Sequence, residues 1–321
     1  MDITPASLSA LYVKYSQLFQ QSVLNYGLFW PKFAQLFEST TTTETHVWMD
    51  RIPQMRIWYG DRVVNNVSLR TYSLTNLPFE DTLGLDQFNV QDNKINAFQP
   101  AVQNLAMQAT KWGDNVFFNS TYGAIQQGTS FVTYDGVSFF SNAHPVNVDN
   151  TAQYGTQSNY STSFALTSAN FNTARYTMKD YLGADGLPLN VNPSLLMTAP
   201  VNEAAGIQIL QTQYTAPANA LGQNSAGVVQ QNALYGAADL LVVPDMAALD
   251  NIISTGNPWL LMDVSGPLKP FLFQLRQAPQ FFFELSPQSP SIISRHQIQC
   301  GVSTRGIGGY GPYFYAYLGV G

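Results

Sequence analysis

Charge is what this sequence has least of: 11% of its 321 residues are Asp, Glu, Lys or Arg, against about 25% in an average soluble domain. Cysteine is nearly missing too. Cys300 stands alone, so no internal disulfide can form, and the expected place of folding is the reducing cytoplasm. No stretch approaches the ~18 consecutive apolar residues of a membrane-spanning helix. The N-terminal Met1-Asp2-Ile3-Thr4-Pro5 has neither the basic nor the apolar region of a signal peptide. Without a secretion route, the glycosylation patterns beginning at Asn66, Asn119 and Asn159 read as chance matches. A long basic run is also lacking, and the net charge is −6. Sequence-independent nucleic-acid affinity needs several Lys or Arg side chains on one face, which this chain does not advertise.

The parts of a catalytic site are missing in the same way. His46, His144 and His296 are far apart, none at i, i+4 with another metal ligand, and one cysteine cannot make a zinc pattern. Each histidine reads as structural and Cys300 as a small buried hydrophobe. There is no Gly-x-Ser-x-Gly elbow and no phosphate-binding P-loop. Gly306-Ile307-Gly308-Gly309-Tyr310-Gly311 satisfies the dinucleotide pattern by letter. Only a strand-like tail follows it, with no ribose-binding acid downstream, so a cofactor site is rejected. These glycines are expected to make a tight, bending connection between strands. Acidic residues are scattered singly apart from Glu80-Asp81, and no carboxylate pair is proposed by spacing.

Hydrophobic residues make up 45% of the chain, which is therefore globular, with room for roughly two domain-sized units. Asn, Gln, Ser, Thr and Tyr take the places that charge leaves. Such surfaces cost little to desolvate, and interfaces between chains are depleted in charge and rich in aromatics. Two readings fit: a subunit covered by its neighbours, or a low-charge secreted β-protein.

Along the chain, Thr4 can cap a helix that Pro5 opens. Its apolar stripe is Leu8, Leu11, Tyr12, Tyr15, Leu18 and Phe19, and it is expected to run to about Gly27. A short apolar stretch, Leu28 to Phe37, ends in the run Ser39 to Thr43. From 44 to 93 the pattern turns to period two: Val67, Leu69 and Thr71 alternate with Ser68, Arg70 and Tyr72, and Phe79, Leu83 and Leu85 suggest a returning strand. Too few apolar residues share one face for this stretch to fold alone. Half of the chain's arginines, Arg51, Arg56, Arg62 and Arg70, lie in it beside Trp48, Trp58 and Tyr59. An intersubunit arm is the functional reading, with Arg51, Arg56, Trp58, Arg62 and Arg70 as its contacts. A solvated hairpin is the plain one.

A long helix follows, with Phe98, Val102, Leu105, Ala106, Ala109, Trp112 and Val116 at helical spacing and Pro100 near its start. Tyr134-Asp135-Gly136 is a turn leading into Phe139-Phe140. The polar stretch from Asn147 to Asn172 is expected to be a surface insertion. Leu195-Leu196-Met197 then reads as a buried strand, Val201 to Leu210 as a helix, Ala216 to Gln231 as a loop and Leu240 to Val243 as a strand. Strands close the chain at Trp259 to Val264, Phe271 to Leu275, Phe281 to Leu285 and Tyr313 to Tyr317.

This order resembles the Hong Kong-type major capsid fold of tailed phages and herpesviruses, an α+β fold. Locally the sequence is similar to the major head subunits of Mu-like phages. The similar pieces are Thr4-Pro5-Ala6-Ser7-Leu8; Tyr72-Ser73 with Asn76, Phe79-Glu80, Thr82 and Gly84; Tyr134-Asp135-Gly136 with Phe139-Phe140 and His144-Pro145; Pro193-Ser194-Leu195-Leu196-Met197 with Ala199-Pro200; Trp259-Leu260-Leu261; and Gly308-Gly309-Tyr310-Gly311. The resemblance implies an N-terminal helical arm (1–43), an extended β-hairpin loop (44–93), a spine helix and peripheral domain with a polar insertion (94–174), an axial domain (175–255) and return strands of the peripheral domain (256–321). It implies a structural protein, not an enzyme, with no cofactor. The subunit would self-assemble in pentamers and hexamers into an icosahedral shell around phage double-stranded DNA, held without sequence-specific contacts and with no membrane. An acidic wall suits that role, since one that gripped phosphates would obstruct filling. The site of assembly would be the host cytoplasm and the destination the virion.

Some relatives weld the shell through a lysine on the extended loop. Here the loop carries arginines, which stay protonated, and its lysine, Lys94, is at the base, so a shell without covalent links is expected. Others carry a fused scaffolding segment. Here a helix begins directly after Met1, so a separate scaffolding protein is the expectation, with portal and decoration proteins as further partners. Two rivals stand beside this reading: a nanocompartment shell of the same fold, enclosing a cargo enzyme, and a β-rich hydrolase built from dispersed carboxylates.

Overall fold

The computed structural model describes residues 2–23, 26–49, 60–61, 69–215, 230–249 and 256–321. Helix α1 (Pro5–Val23) starts as its residues dictate: Pro5 opens the first turn, and the Thr4 hydroxyl accepts the Ser7 amide at 3.2 Å. Leu8, Leu11, Tyr15 and Phe19 form its buried stripe. Strands β1 (Ala34–Glu38), β2 (Thr43–Met49), β3 (Leu69–Thr75) and β4 (Leu77–Asp86) follow, then helix α2 (Gln99–Phe118). The periodic residues Val102, Leu105, Ala106, Ala109, Trp112 and Val116 are all buried on α2. Asp114 is buried there too, and accepts the backbone amides of Phe29 (3.0 Å) and Trp30 (2.8 Å), which ties the N-terminal segment to the spine. Desolvation raises its carboxyl above the usual range, against the pull of those two amides.

The second half supplies β5 (Tyr160–Ser161), α3 (Ser168–Lys179), β6 (Leu195–Thr198), α4 (Glu203–Leu210), β7 (Asp239–Val242) and β8 (Pro258–Met262). The last strands are β9 (Phe271–Phe283), β10 (Gln297–Tyr310) and β11 (Ala316–Val320). A four-stranded sheet runs β1-β9-β10-β4, parallel between β1 and β9 and antiparallel elsewhere. A five-stranded sheet runs β7-β6-β8-β11-β5, parallel at its two edges and antiparallel between. Its inner strands β6, β8 and β11 are buried at every position, which is why they read as unbroken apolar runs.

Several expectations change. The returning strand at Phe79, Leu83 and Leu85 exists as β4, but it pairs with β10 in the body sheet, so the free hairpin is β2–β3 alone. The polar stretch 147–172 is at the surface for most of its length, but its second half is tied into the body. Tyr160–Ser161 extend the five-stranded sheet beside β11, Leu166 and Phe171 are buried, and so is Asn159. Asn159 Nδ2 donates to the carbonyls of Phe139 (2.8 Å) and Tyr313 (3.2 Å), so hydrogen bonds hold this segment where apolar burial would have left a visible pattern. The closing segment 256–321 is divided: β9 and β10 belong to the four-stranded sheet, β8 and β11 to the five-stranded one.

The glycines at 306–309 make no bend. They sit inside β10, where α2 and the hairpin approach from opposite sides. A Cβ on Gly308 would stand 2.4 Å from the Val116 carbonyl oxygen, and one on Gly309 would meet the Leu74 side chain. Glycine is used here because a helix backbone lies directly on a strand. We expect Gly308→Ala to destabilise the subunit by about 1–3 kcal/mol in denaturant unfolding, because the clashing atom is backbone and cannot swing away.

Candidate functional site

The hairpin β2–β3 forms a sheet of its own, in register from Thr43–Thr75 to Met49–Leu69. One face carries hydroxyl pairs Thr43–Thr75 (3.0 Å) and Thr45–Ser73 (3.2 Å) across the strands, with the exposed Val47 beyond them. From the other face Tyr72 and Leu74 are buried against the body. The Tyr72 hydroxyl accepts the Tyr310 amide at 2.9 Å and donates to the Tyr310 carbonyl, and burial pushes its phenol well up.

The root of the hairpin is built on Gln274, which has no exposed surface and lies between apolar residues of β9. Its amide finds every partner on or beside the hairpin. The oxygen accepts His46 Nε2 at 2.8 Å, and the nitrogen donates to Asn76 Oδ1 at 2.9 Å and to the Leu74 carbonyl at 3.3 Å. Asn76 in turn donates to Ser39 Oγ (2.8 Å) and the Thr41 carbonyl (3.0 Å). Glu44 closes the turn between β1 and β2, accepting the amides of Thr40 (2.9 Å) and Thr41 (3.0 Å) and the Ser39 hydroxyl (2.9 Å). Led by the Thr41 and Thr40 amides, these donors hold its carboxyl down at about 2. The root is thus a joint in which a buried amide network lies beside the apolar contacts of Tyr72 and Leu74 with the body.

Of the residues singled out by sequence, Arg51, Arg56, Trp58 and Arg62 lie outside the described residues. Arg70 pairs with Asp149 at 2.7 Å, inside its own chain. Asp149 is 73% exposed, so that contact adds little stability. His46 joins the root, and His144 anchors a second buried network. His144 Nδ1 meets Asp135 at 2.5 Å, Nε2 meets the Phe139 carbonyl and Asn159 Oδ1 (both 3.1 Å), and the ring stacks on Tyr313 with centroids 3.7 Å apart. Cys300 is buried, and desolvation pushes its thiol up to about 12, which removes thiolate chemistry at neutral pH. Among the described residues no group of three or more His, Cys, Asp and Glu could hold a metal ion, and no helix is long and apolar enough to cross a membrane.

Comparison with known proteins gives the family and the fold. The sequence matches the family described as Mu-like prophage major head subunit gpT over residues 8–165, 157–246 and 243–319. It is 29% identical to the major capsid protein of Escherichia phage Mu over 161 residues, 50% of this chain and 52% of that protein. The Mu-like prophage FluMu major head subunit of Haemophilus influenzae is 27% identical over 171 residues, 53% of this chain and 54% of that protein. The chain thus spans about half the length of the curated relatives it matches. Among solved structures, the procapsid of bacteriophage JBD30 is similar with a TM-score of 0.58 and 22% identity, over 99% of this chain and 76% of that one. A virus-like particle from Pyrococcus furiosus has a TM-score of 0.51 at 9% identity, over 96% and 98%. These likenesses establish the fold as the α+β fold of phage capsid subunits.

Two outcomes are expected at the root. Asn76→Ala leaves the Gln274 nitrogen short of an acceptor and should cost about 1–3 kcal/mol, with faster protease cleavage in the hairpin. Glu44 has a folded value near 2 against its ordinary 4.5, so its contribution is complete above pH 4.5 and is lost as pH falls from there toward 2. Protection of the Thr40 and Thr41 amides from hydrogen exchange, relative to their intrinsic rates, should fall across that window in the parent, and Glu44→Gln should show no such acid transition.

Proposed function

The chain belongs to the family of Mu-like prophage major head subunits, and on that premise we propose that it is the major capsid protein of a tailed-phage head. It self-assembles into an icosahedral shell around double-stranded DNA. The observation that carries the reading is a capsid-subunit fold running along 99% of the chain. The rooted hairpin, stiff and stripped of an apolar core of its own, supports it as the part that overlies a neighbour. The five-stranded sheet is assigned to the capsomer centre, and the four-stranded sheet with α2 to the periphery.

In this reading pentamers and hexamers tile the shell, and closed symmetry multiplies contacts that are individually weak. A separate scaffolding protein shapes assembly in the host cytoplasm, and portal and decoration proteins complete the virion. DNA is enclosed without sequence-specific contacts, in keeping with the net charge of −6. The arginines of the extension cannot form an isopeptide bond, and Lys94 stands at its base beside Asp92 at 3.6 Å. Shell cohesion therefore comes from burial and ion pairs.

Electron microscopy of the overexpressed protein tests this. Shells, tubes or hexamer sheets are expected, and after boiling and reduction the particles should run as one band near 35.4 kDa. A monodisperse monomer that stays so with scaffold present would sink the proposal, and a covalent ladder would sink the unlinked shell. Packaged protein in place of nucleic acid would favour a compartment.

A further inference from the structure

The pair His144–Asp135 is withdrawn from water, with side-chain exposures of 0% and 2%, and the hydrogen bonds around it fix how many protons it holds. Asn159 sets the reference. Its nitrogen donates to the carbonyls of Phe139 and Tyr313 and its oxygen accepts the Ser141 amide at 2.9 Å, so its amide group cannot be turned over. His144 Nε2 therefore faces two acceptors, the Asn159 oxygen and the Phe139 carbonyl, and must itself carry a hydrogen. Nδ1 lies 2.5 Å from Asp135 Oδ2, while Asp135 Oδ1 accepts from the Thr133 hydroxyl and the Val137 amide. Reversing the ring would set carbon atoms against the three oxygens it meets. A neutral ring with its one hydrogen on Nε2 would aim a lone pair at a buried carboxylate. Among the described residues no other cation pairs with Asp135, so that arrangement would leave its charge uncompensated.

We infer that one proton held between His144 Nδ1 and Asp135 Oδ2 closes a clasp on the segment 141–161, and that its removal in alkaline solution releases this segment. Written as imidazolium and carboxylate or as imidazole and carboxylic acid, the pair holds the same proton. Losing it leaves two lone pairs face to face. The clasp fastens the Asp135 turn to the stretch that ends in β5, an edge strand of two residues paired with β11. The His144 ring also stacks on Tyr313, between β10 and β11, whose hydroxyl accepts Gln157 Nε2 at 2.6 Å. Ionisable groups on the surrounding elements do not replace the proton. Tyr134 and Tyr181 pack on Tyr313, and burial holds the Tyr181 phenol well up. Asp185 accepts the Leu187 amide of its own turn, and the exposed Asp149 is paired with Arg70. The hairpin root weakens in acid, through Glu44, and this junction weakens in base. Both hold for the single subunit, whether or not it forms shells.

Asp135→Asn supplies the comparison, because its amide can donate to Nδ1 and accept from Thr133 and Val137 with no proton to lose. Protease cleavage of the full chain within 141–161 is followed for parent and variant side by side at pH 7 and at pH 9, so that protease activity and other ionisations cancel. Once opened, the segment exposes an ordinary histidine, which is neutral above about 6.5. Opening then releases one proton, and the parent's opening constant should rise by up to about tenfold per pH unit. The parent-to-variant ratio of cleavage rates should therefore climb about tenfold or more from pH 7 to pH 9. A ratio that stays the same would overturn the proposal. If the variant does not fold, the parent alone decides. In 15N-histidine NMR at pH 7, with His144 identified by its contact with the Tyr313 ring, a proton should be found at Nδ1 as well as on Nε2. An Nδ1 with a bare lone pair would overturn the clasp.

Discussion

A single amide governs how this molecule is put together. Gln274 is wholly buried in the middle of β9, and a buried amide left without partners costs about 1–3 kcal/mol. Its hydrogen bonds all lead to the hairpin or to Asn76 beside it: His46 on β2, Leu74 on β3 and the Asn76 side chain. The body sheet is therefore satisfied only when the hairpin docks, and the hairpin docks in only one place. Tyr72, bonded twice to the Tyr310 backbone, repeats the same logic one strand over on β10.

The close approach that makes this joint possible is set by absent side chains. Gly308 lets the α2 backbone lie on one side of β10, and Gly309 admits Leu74 of the hairpin on the other. One strand is thus held between the spine and the extension with almost no side-chain padding. Protein interiors are nearly incompressible at that packing density, so a shift of either partner is passed to the other. The hairpin root and the spine helix thus pack on opposite sides of the same strand.

What the sequence made legible divides along physical lines. Helices α1 and α2 could be read with their buried faces, because an amphipathic stripe repeats with the helix period whatever lies opposite. The apolar strands β6 and β8 were legible as runs because both their faces are covered. Other features left no such mark. Tyr160–Ser161 joins a sheet through backbone pairing with Leu318 and Gly319, which needs no apolar side chains, so its composition looks like a loop. Gly306 to Gly309 carry turn-like composition inside a strand, and the helix backbone over Gly308 and the Leu74 side chain over Gly309 explain it. Gln274 did leave a trace, as the one polar residue in Phe271-Leu272-Phe273-Gln274-Leu275, and a lone polar residue in a buried apolar run marks a required partner. Of the arginine-bearing extension, the structure adds only that Arg70 is paired within the chain.

The chemistry of the joint also bears on why charge is so scarce. A subunit buried on several sides must shed water from most of its surface, and an unpaired ion makes that step expensive where a Ser, Thr, Asn or Gln does not. The hydroxyl ladder on the hairpin and the amide network at its root are made of such residues. The few charges near the joint stay at the surface or satisfy backbone amides: Glu38 is exposed, and Glu44 accepts the Thr40 and Thr41 amides. Directional hydrogen bonds fix how the β2–β3 hairpin meets the body sheet, and they do so without any charged pair across the joint among the described residues. A surface made in this way can be covered without the desolvation cost that unpaired ions would add across its area.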